Sequence, residues 1–446
     1  MTASSPATDY QAALDALAAR GRFGIRLGLG RTRALLAELG DPQLTVRGAL
    51  VAGTNGKGSV LALAGSALRA AGLRVGQTPK PHLVSYRERV TIDGRPISAT
   101  DFTRHVQAVL VVADRVARRH GEPTEFELLT AVVFRHFAEA SLDVALVEVG
   151  LGGRLDATHA WDGGVAVVTN VALDHTDRLG TTIAAIAREK AAIIERGDRA
   201  VTGADGEALA IVRRRARRMG VPLTEVVPAP LLGWDRDGLT AELPRLGEVR
   251  VGLRGRHQAA NVAVADALLD ALADAGIAHA DAASRRAGYA NATWPGRLEL
   301  LSVDGDEILL DGAHNPAGAA ALAQALDDLR PYLAPGRLTL VVAAMADKDV
   351  DGIIEAMSAA TALQGATVIA TTVDAARAMP AEALAARWLS RAAAPTQVIA
   401  EPDPLVALER ARRQPGPTVV AGSLYLVGAL RSHLVDDPDL RDPVQA

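Results

Sequence analysis

The stretch "VAGTNGKGSV" (residues 51–60) decides how the rest of the chain is read. It has the glycines, lysine and hydroxyl of a phosphate-binding loop but departs from the pattern G-x-x-x-x-G-K-[ST]. Val51 stands five positions before Gly56, and Gly58 follows Lys57, so the hydroxyl is delayed to Ser59. Ahead of the loop, "GALVA" (48–52) reads as a strand buried on both faces. Behind it, from Ser59 to Ala71, runs an alanine-rich segment with helical spacing. A strand that feeds Gly53-Thr54-Asn55-Gly56-Lys57-Gly58-Ser59 and then a helix meets the needs of an anion site. Glycines let successive backbone N–H groups turn toward one point, and a helix N-terminus favours negative charge. Lys57 would reach the β- and γ-phosphates of a nucleotide, and Ser59 would hold magnesium. The bland alternative is a tight strand–helix turn with a surface lysine; the full heptapeptide behind a buried strand argues against it.

Similar apolar runs ending in polar or glycine-rich residues recur: "LDVALVEVGLGG" (142–153), "GGVAVVTNVALDH" (163–175), "EILLDGAHNP" (307–316) and "LTLVVAAMADKD" (338–349). Alanine-rich helical segments such as Ala317–Leu329 lie between them. Strand, loop and helix in alternation predict an α/β fold with a mostly parallel sheet covered by helices, whose ligands bind beyond the carboxyl ends of the strands. At "NATWPGRLEL" (291–300) the helical pattern stops at a Pro-Gly pair and a strand signal follows. This sets a domain boundary: residues 1–297 as a P-loop domain, and 298–446 as a smaller Rossmann-like α/β domain with strands near 307–311, 338–343, 396–400 and 418–421. The stretch 221–257 is turn-rich with short strand signals.

Composition narrows the function classes. The 446 residues are 49% hydrophobic and only 3% aromatic, with 48 basic and 52 acidic residues and a net charge of -4. That balance speaks against nucleic acid or an anionic membrane as partner, and "RRRARR" (213–218) is expected to form a solvated helix face. There is no cysteine, which excludes disulfides, thiolate zinc sites and a cysteine nucleophile. No run approaches the roughly 20 apolar residues of a membrane span, and the N-terminus lacks a signal-peptide pattern. A cytoplasmic protein is expected.

Three groups downstream of the loop stand out. Glu148 lies near the carboxyl end of an apolar strand, where an acid costs several kcal/mol unless paired, protonated or metal-bound. His175 falls at a strand end beside Asp174. Lys190 sits eight residues after Thr182, a plausible helix cap, and by position alone is an ordinary helix lysine.

"GTNGKGS" (53–59), "LVEVGLGGRLDAT" (146–158), "IAREKAAI" (186–193), "GRHQAAN" (255–261), "WPGRLE" (294–299) and "DGAHNPAG" (311–318) together resemble folylpolyglutamate and dihydrofolate synthases, the folate branch of the Mur ligases. The resemblance runs from "GIRLGLGR" (24–31) to "GSLYLVG" (422–428). It implies ATP and two magnesium sites, with Ser59, Glu148, His175 and a carbamylated Lys190 as metal ligands, and Lys57 on the phosphates. It puts Asn261 on adenine, Arg297 on the ATP phosphates and Asp311 on the nucleotide. Thr124, Phe126, Glu127, Leu155, Asp156 and Ala157 would lie on the pterin side; His314 and Ser423 would face incoming glutamate, with a helix cap as the other reading of Ser423. Lys57, Lys190, His175 and His314 form the implied catalytic set. The implied reaction activates a carboxylate, of dihydropteroate or of a folate, as an acyl phosphate that the glutamate amine then displaces. A monomer acting on small molecules is expected.

The pattern breaks in two places. Where the family reads "TSPHL", this chain has "TPKPHL" (78–83), putting Lys80 at the family's metal-binding serine. A protonated lysine cannot ligate magnesium, so either water takes that position or Lys80 itself neutralises phosphate charge. Arg26 and Gly30 also stand where acids are usual. Two rivals remain: a peptidoglycan-type Mur ligase, which would carry a nucleotide-sugar domain where only 52 residues precede Gly53, and a non-catalytic ATP-binding regulatory module.

Overall fold

The structure is a computed structural model that describes residues 6–21, 26–391 and 397–443. Gly24 and Ile25 of the 24–31 stretch, and residue 396 of the strand expected at 396–400, lie outside the described residues. The chain packs as two compact units. The first comprises residues 1–228, 261–289 and 438–446, the second 229–260 and 290–437.

The first unit is built on an eight-stranded sheet in the order Arg95–Pro96, Thr91–Ile92, Val75–Thr78, Val144–Glu148, Gly48–Ala52, Gly164–Val168, Arg199–Thr202, Leu223–Glu225. From Val75–Thr78 onward all neighbours are parallel. The strand leading into the phosphate loop lies between those leading to Glu148 and to residues 169–175. Val51 pairs with Glu148, and Ala52 with Val168, so all three chains leave the sheet at one level. Gly48–Ala52, Val144–Glu148 and nearly all of Gly164–Val168 are buried, as continuous apolar runs in a helix-covered sheet should be. Helix Lys57–Ala70 follows the loop and buries nine residues, Ser59 among them.

The second unit holds a six-stranded sheet, Glu299–Val303, Asp306–Leu310, Thr418–Ala421, Thr339–Val342, Thr367–Ala370, Gln397–Ala400, parallel except for the opening hairpin. It also holds a three-stranded antiparallel sheet of Leu231–Asp235, Gly238–Leu243 and Gly247–Val251. The expected α/β architecture is present, but the packed units interleave rather than following one cut after Arg297. The turn-rich stretch packs with the second unit and the last described residues with the first.

The arginine run lies on helix Gly206–Met219 with Arg213, Arg214, Arg217 and Arg218 exposed. Arg215 departs from the expected solvated face: its guanidinium donates to the carbonyls of Ile194 (2.9 Å) and Ala192 (3.0 Å), stabilising the negative C-terminal end of the preceding helix.

Candidate active site

The loop needs glycine in two places. Gly56 has φ 80, and a Cβ there would lie 2.3 Å from Asn261 Oδ1; Gly53 has φ 156, and its Cβ would lie 1.8 Å from Thr169 Oγ1. The loop is laced to the end of the next strand. Asn55 N–H donates to Asn170 Oδ1 (2.9 Å), the Thr169 hydroxyl to Asn55 O (2.7 Å), and Thr54 N–H to Asn170 O (3.0 Å). The Thr54 hydroxyl donates to Ala172 O (3.1 Å). Thr169 and Asn170 thus shape the site, a role the sequence reading missed because it followed this segment only toward His175. Lys57, Gly58 and Ser59 form the first turn of helix Lys57–Ala70, where helix N–H groups lack intrahelical acceptors.

Three lysines surround this loop. Lys57 Nζ donates to the carbonyls of Gly53 (2.9 Å) and Thr54 (3.1 Å) and stands 3.9 Å from Glu148 Oε1. Lys190, in helix Ile183–Ala191 capped by Thr182, donates to the same Gly53 carbonyl at 2.8 Å. Its burial, then the nearby Lys57 ammonium, pull its pKa down to about 7 against the opposing pull of Asp174. The Lys80 backbone N–H donates to Glu148 Oε2 (3.0 Å), and its ammonium to the Glu148 carbonyl. That ammonium sits 4.6 Å from the centroid of the Phe126 ring. Burial brings Lys80 down to about 8, against the attraction of Asp156 and Glu148.

Gly53, Thr54, Lys57, Gly150, His175 and Lys190 line one cleft. Glu148 joins it through Lys57, so the lysine, imidazole and carboxylate singled out from sequence share one end of the sheet. His175 is half-exposed, and its backbone N–H donates to Asp174 Oδ1 (2.9 Å).

The residues expected on the pterin side hold their neighbours in place. Thr124 and Glu127 form a capping box on helix Glu125–Ala140, and Arg31 Nε bonds both Glu127 oxygens at 3.0 and 3.1 Å. Asp156 accepts from Leu151 N–H (2.8 Å) and Thr158 N–H (3.0 Å), fixing the glycine loop beside the cleft. Ala157 is buried next to it, Leu155 O accepts from Gly28 N–H (3.3 Å), and Phe126 packs against Gly150. Asn261 leans on Gly56, within the first unit.

In the second unit Asp311 is buried and accepts from Leu298 N–H (2.9 Å) and Ala313 N–H (2.8 Å). Burial raises its pKa, with the nearby Arg297 opposing. Arg297 packs against Gly312, and His314 Nδ1 bonds the Gly312 carbonyl at 2.7 Å. Ser423 is buried and caps helix Leu424–Leu434 by accepting from Tyr425 N–H.

The Mur ligase middle domain family matches residues 51–269, and the Mur ligase glutamate ligase domain matches residues 296–424. The dihydrofolate synthase/folylpolyglutamate synthase of Bacillus subtilis is 36% identical over 359 residues, 78% of this chain and 82% of that protein. This chain is a member of the dihydrofolate synthase/folylpolyglutamate synthase family of Mur ligases. It is an ATP-dependent carbon–nitrogen ligase. Among solved structures, Mycobacterium tuberculosis folylpolyglutamate synthase with ADP and AMPPCP superposes with a TM-score of 0.86 at 32% identity, covering 97% of this chain and all (100%) of that one. The bifunctional enzyme of Yersinia pestis with AMPPNP and a Mn ion gives 0.80 at 28% identity, covering 97% and 100%. All three are named for folate ligation, none for peptidoglycan synthesis.

Members of this ligase family use ATP and a divalent metal. Among the described residues no three His, Asp or Glu side chains gather into a ready-made metal cage. Ser59 lies in the first turn of the helix that follows the loop, the Glu148 carboxylate stands beside Lys57, and His175 lines the cleft. That sparse set fits magnesium entering with a nucleotide, which takes one or two protein carboxylates, phosphate oxygens and retained waters. No described helix is long and apolar enough to cross a membrane.

Proposed function

We propose that this ligase joins L-glutamate to the carboxylate of dihydropteroate, forming dihydrofolate, and to the γ-carboxylate of folates. It would work in the cytoplasm as a monomer. The observation that carries the reading is the convergence of the glycine loop, Lys57, Glu148 and Lys190 at one end of the sheet.

A carboxylate oxygen of the acyl substrate attacks the γ-phosphorus and ADP leaves, giving an acyl phosphate. The glutamate amine attacks its carbonyl carbon, phosphate leaves, and the nitrogen loses a proton. Phosphoryl transfer depends on positioning and charge neutralisation. Lys57, whose ammonium lies beside the Gly53 and Thr54 carbonyls, serves the β- and γ-phosphates. Asn261 takes adenine; Arg297 and Asp311 serve the nucleotide, and His314 and Ser423 the incoming glutamate. Phe126, Leu155, Asp156 and Ala157 face the acyl substrate, while Thr124 and Glu127 support it by fixing the start of Phe126's helix. Ser59, Glu148 and His175 would hold magnesium, which would supply charge neutralisation at the transferring phosphoryl group.

Lys190 takes part as a carbamate. Its lowered pKa leaves much of the amine neutral near pH 7, the form that adds CO₂, and the product exchanges a cation for an oxygen pair able to ligate metal. Intact mass in bicarbonate buffer should show one CO₂ adduct that Lys190→Met abolishes. An unmodified amine in active, metal-loaded enzyme would remove this element.

Incubation with ATP, glutamate and each pterin should yield products heavier by one glutamate residue, and by several with folates. ATP binding without any such product would favour the regulatory-module reading, and a dimer on size-exclusion chromatography would refute the monomer.

A further inference from the structure

Residues 438–443 follow Asp437 of the second unit but pack in the first, on the segment 82–89 beyond strand Val75–Thr78. Arg87 of that segment is buried, and its guanidinium is directed mostly at the returning chain. Nε donates to Asp442 Oδ1 (3.0 Å), and Nη2 donates to the carbonyls of Asp439 and Arg441, both at 3.0 Å. Nη1 donates to the Ile97 carbonyl at 3.1 Å. The Ser85 hydroxyl donates to the same Asp442 oxygen at 2.6 Å. Ser85 also caps the short helix Tyr86–Arg89, whose Glu88 carboxylate accepts the backbone N–H groups of Leu83 (3.0 Å), Val84 (2.7 Å) and Ser85 (2.7 Å). A buried guanidinium deprived of its acceptors is strongly unfavourable. Without residues 439–442, Arg87 would have to turn to water and draw Ser85 and its neighbours out of place. The segment reaches the cleft through one side chain. Tyr86, its ring centroid 5.1 Å from that of His82 and 5.8 Å from that of Phe102, donates its hydroxyl to Glu125 Oε1 at 2.7 Å. Glu125 opens helix Glu125–Ala140, and the next residue, Phe126, packs against Gly150 in the cleft wall.

Resting on the folate-ligase reading, in which Phe126 faces the acyl substrate, we propose that residues 438–443 are a strap that sets the acyl-substrate side of the cleft, with Arg87 as a positioning residue. The strap holds Arg87 and Ser85, these fix Tyr86 between them in sequence, and Tyr86 fixes the start of the helix that carries Phe126. The nucleotide side, built on Gly53–Ser59, has its own bonds to Thr169 and Asn170 and keeps its shape without the strap. Loosening the strap therefore weakens the acyl substrate and spares the nucleotide.

The test compares full-length wild type with Asp442→Ala, which cuts the strap's side-chain bonds, Tyr86→Phe, which cuts the link to Glu125, and the double variant. KM for dihydropteroate is expected to rise about tenfold in Asp442→Ala and several-fold in Tyr86→Phe, with the Kd for ADP by calorimetry within about twofold of wild type. Because the two residues act in series, the double variant should fall well short of the product of the single effects. An unchanged KM in Asp442→Ala would overturn the proposal, as would an ADP affinity that falls in step with KM or a fully multiplicative double variant. Hydrogen exchange gives a second reading: the amides of Leu83, Val84 and Ser85 should exchange faster in Asp442→Ala while those of helix Lys57–Ala70 keep their protection. If Asp442→Ala does not fold, an unchanged KM in Tyr86→Phe, or unprotected amides at 83–85 in wild type, would overturn the strap. The exchange reading needs no acyl substrate. If wild type joins glutamate to no pterin, the folate reading fails on that result alone, and exchange at 83–85 left unaltered by Asp442→Ala still overturns the strap.

Discussion

Gly56 shows how one residue ties the loop to its surroundings. Its φ of 80 is strained for any side chain, and a Cβ would press on Asn261 Oδ1 at 2.3 Å. Gly56→Ala is therefore expected to cost about 1–3 kcal/mol and to weaken ADP binding at least tenfold by calorimetry; wild-type affinity would refute it. The need for glycine was readable from the sequence, but the partner was not, since residues 56 and 261 meet only through the fold. Asp198 is a residue whose importance no pattern announced. It is buried, accepts Glu195 N–H at 2.7 Å through Oδ2, and its Oδ1 makes no hydrogen bond among the described residues. Burial, helped by the neighbouring Asp162, pushes its pKa up to about 8. A raised carboxyl pKa means the native state holds the proton that the unfolded chain releases. Its stabilising contribution is full below the unfolded value near 4 and is lost as pH rises through about 8. Urea unfolding should show wild type losing on the order of a few kcal/mol relative to Asp198→Asn between pH 4 and pH 8.5. A widening advantage for wild type with rising pH would contradict this.

At the level of elements, the start of helix Glu125–Ala140 shows a signal that was present but assigned elsewhere. "PTEFELLT" (123–130) contains T-x-x-E at Thr124 and Glu127, a capping-box pattern, while the family resemblance implies that these residues lie on the pterin side. In the structure Thr124 and Glu127 cap the helix and Arg31 closes the pair from a separate helix, Gly30–Glu38. Arg31 could not be linked to Glu127 from sequence because 96 residues separate them. Removing either partner leaves the other charge partly buried, so Arg31→Ala and Glu127→Ala should each destabilise by about 2–4 kcal/mol. The double mutant should lose less than the sum, with a coupling of about 1–3 kcal/mol. Strict additivity in chemical denaturation would show that the pair does not act as a unit. Short strands mark the opposite limit. Val75–Thr78, Arg199–Thr202 and Thr367–Ala370 have four residues each, too few for a distinctive apolar run, and neighbouring strands rather than local composition decide their pairing.

For the molecule as a whole, alternation of strand and helix made the fold class legible, because buried parallel strands must be apolar throughout and their ligands gather at the strand ends. The division into units was less legible: which core the 229–260 stretch joins depends on contacts far along the chain, and no local break in pattern encodes them. Each unit has its own apolar core, with Leu50 fully packed in the first and Leu340 in the second. A chain this long exceeds what one core organises. Scanning calorimetry should therefore resolve two transitions. Leu50→Ala and Leu340→Ala each remove about 2–5 kcal/mol of packing, and each should lower a different transition. Because Gly53–Ser59 belongs to the unit containing Leu50, ADP should raise the transition that Leu50→Ala lowers, by mass action on the folded state. A single transition moved equally by both substitutions would mean that the two cores unfold as one.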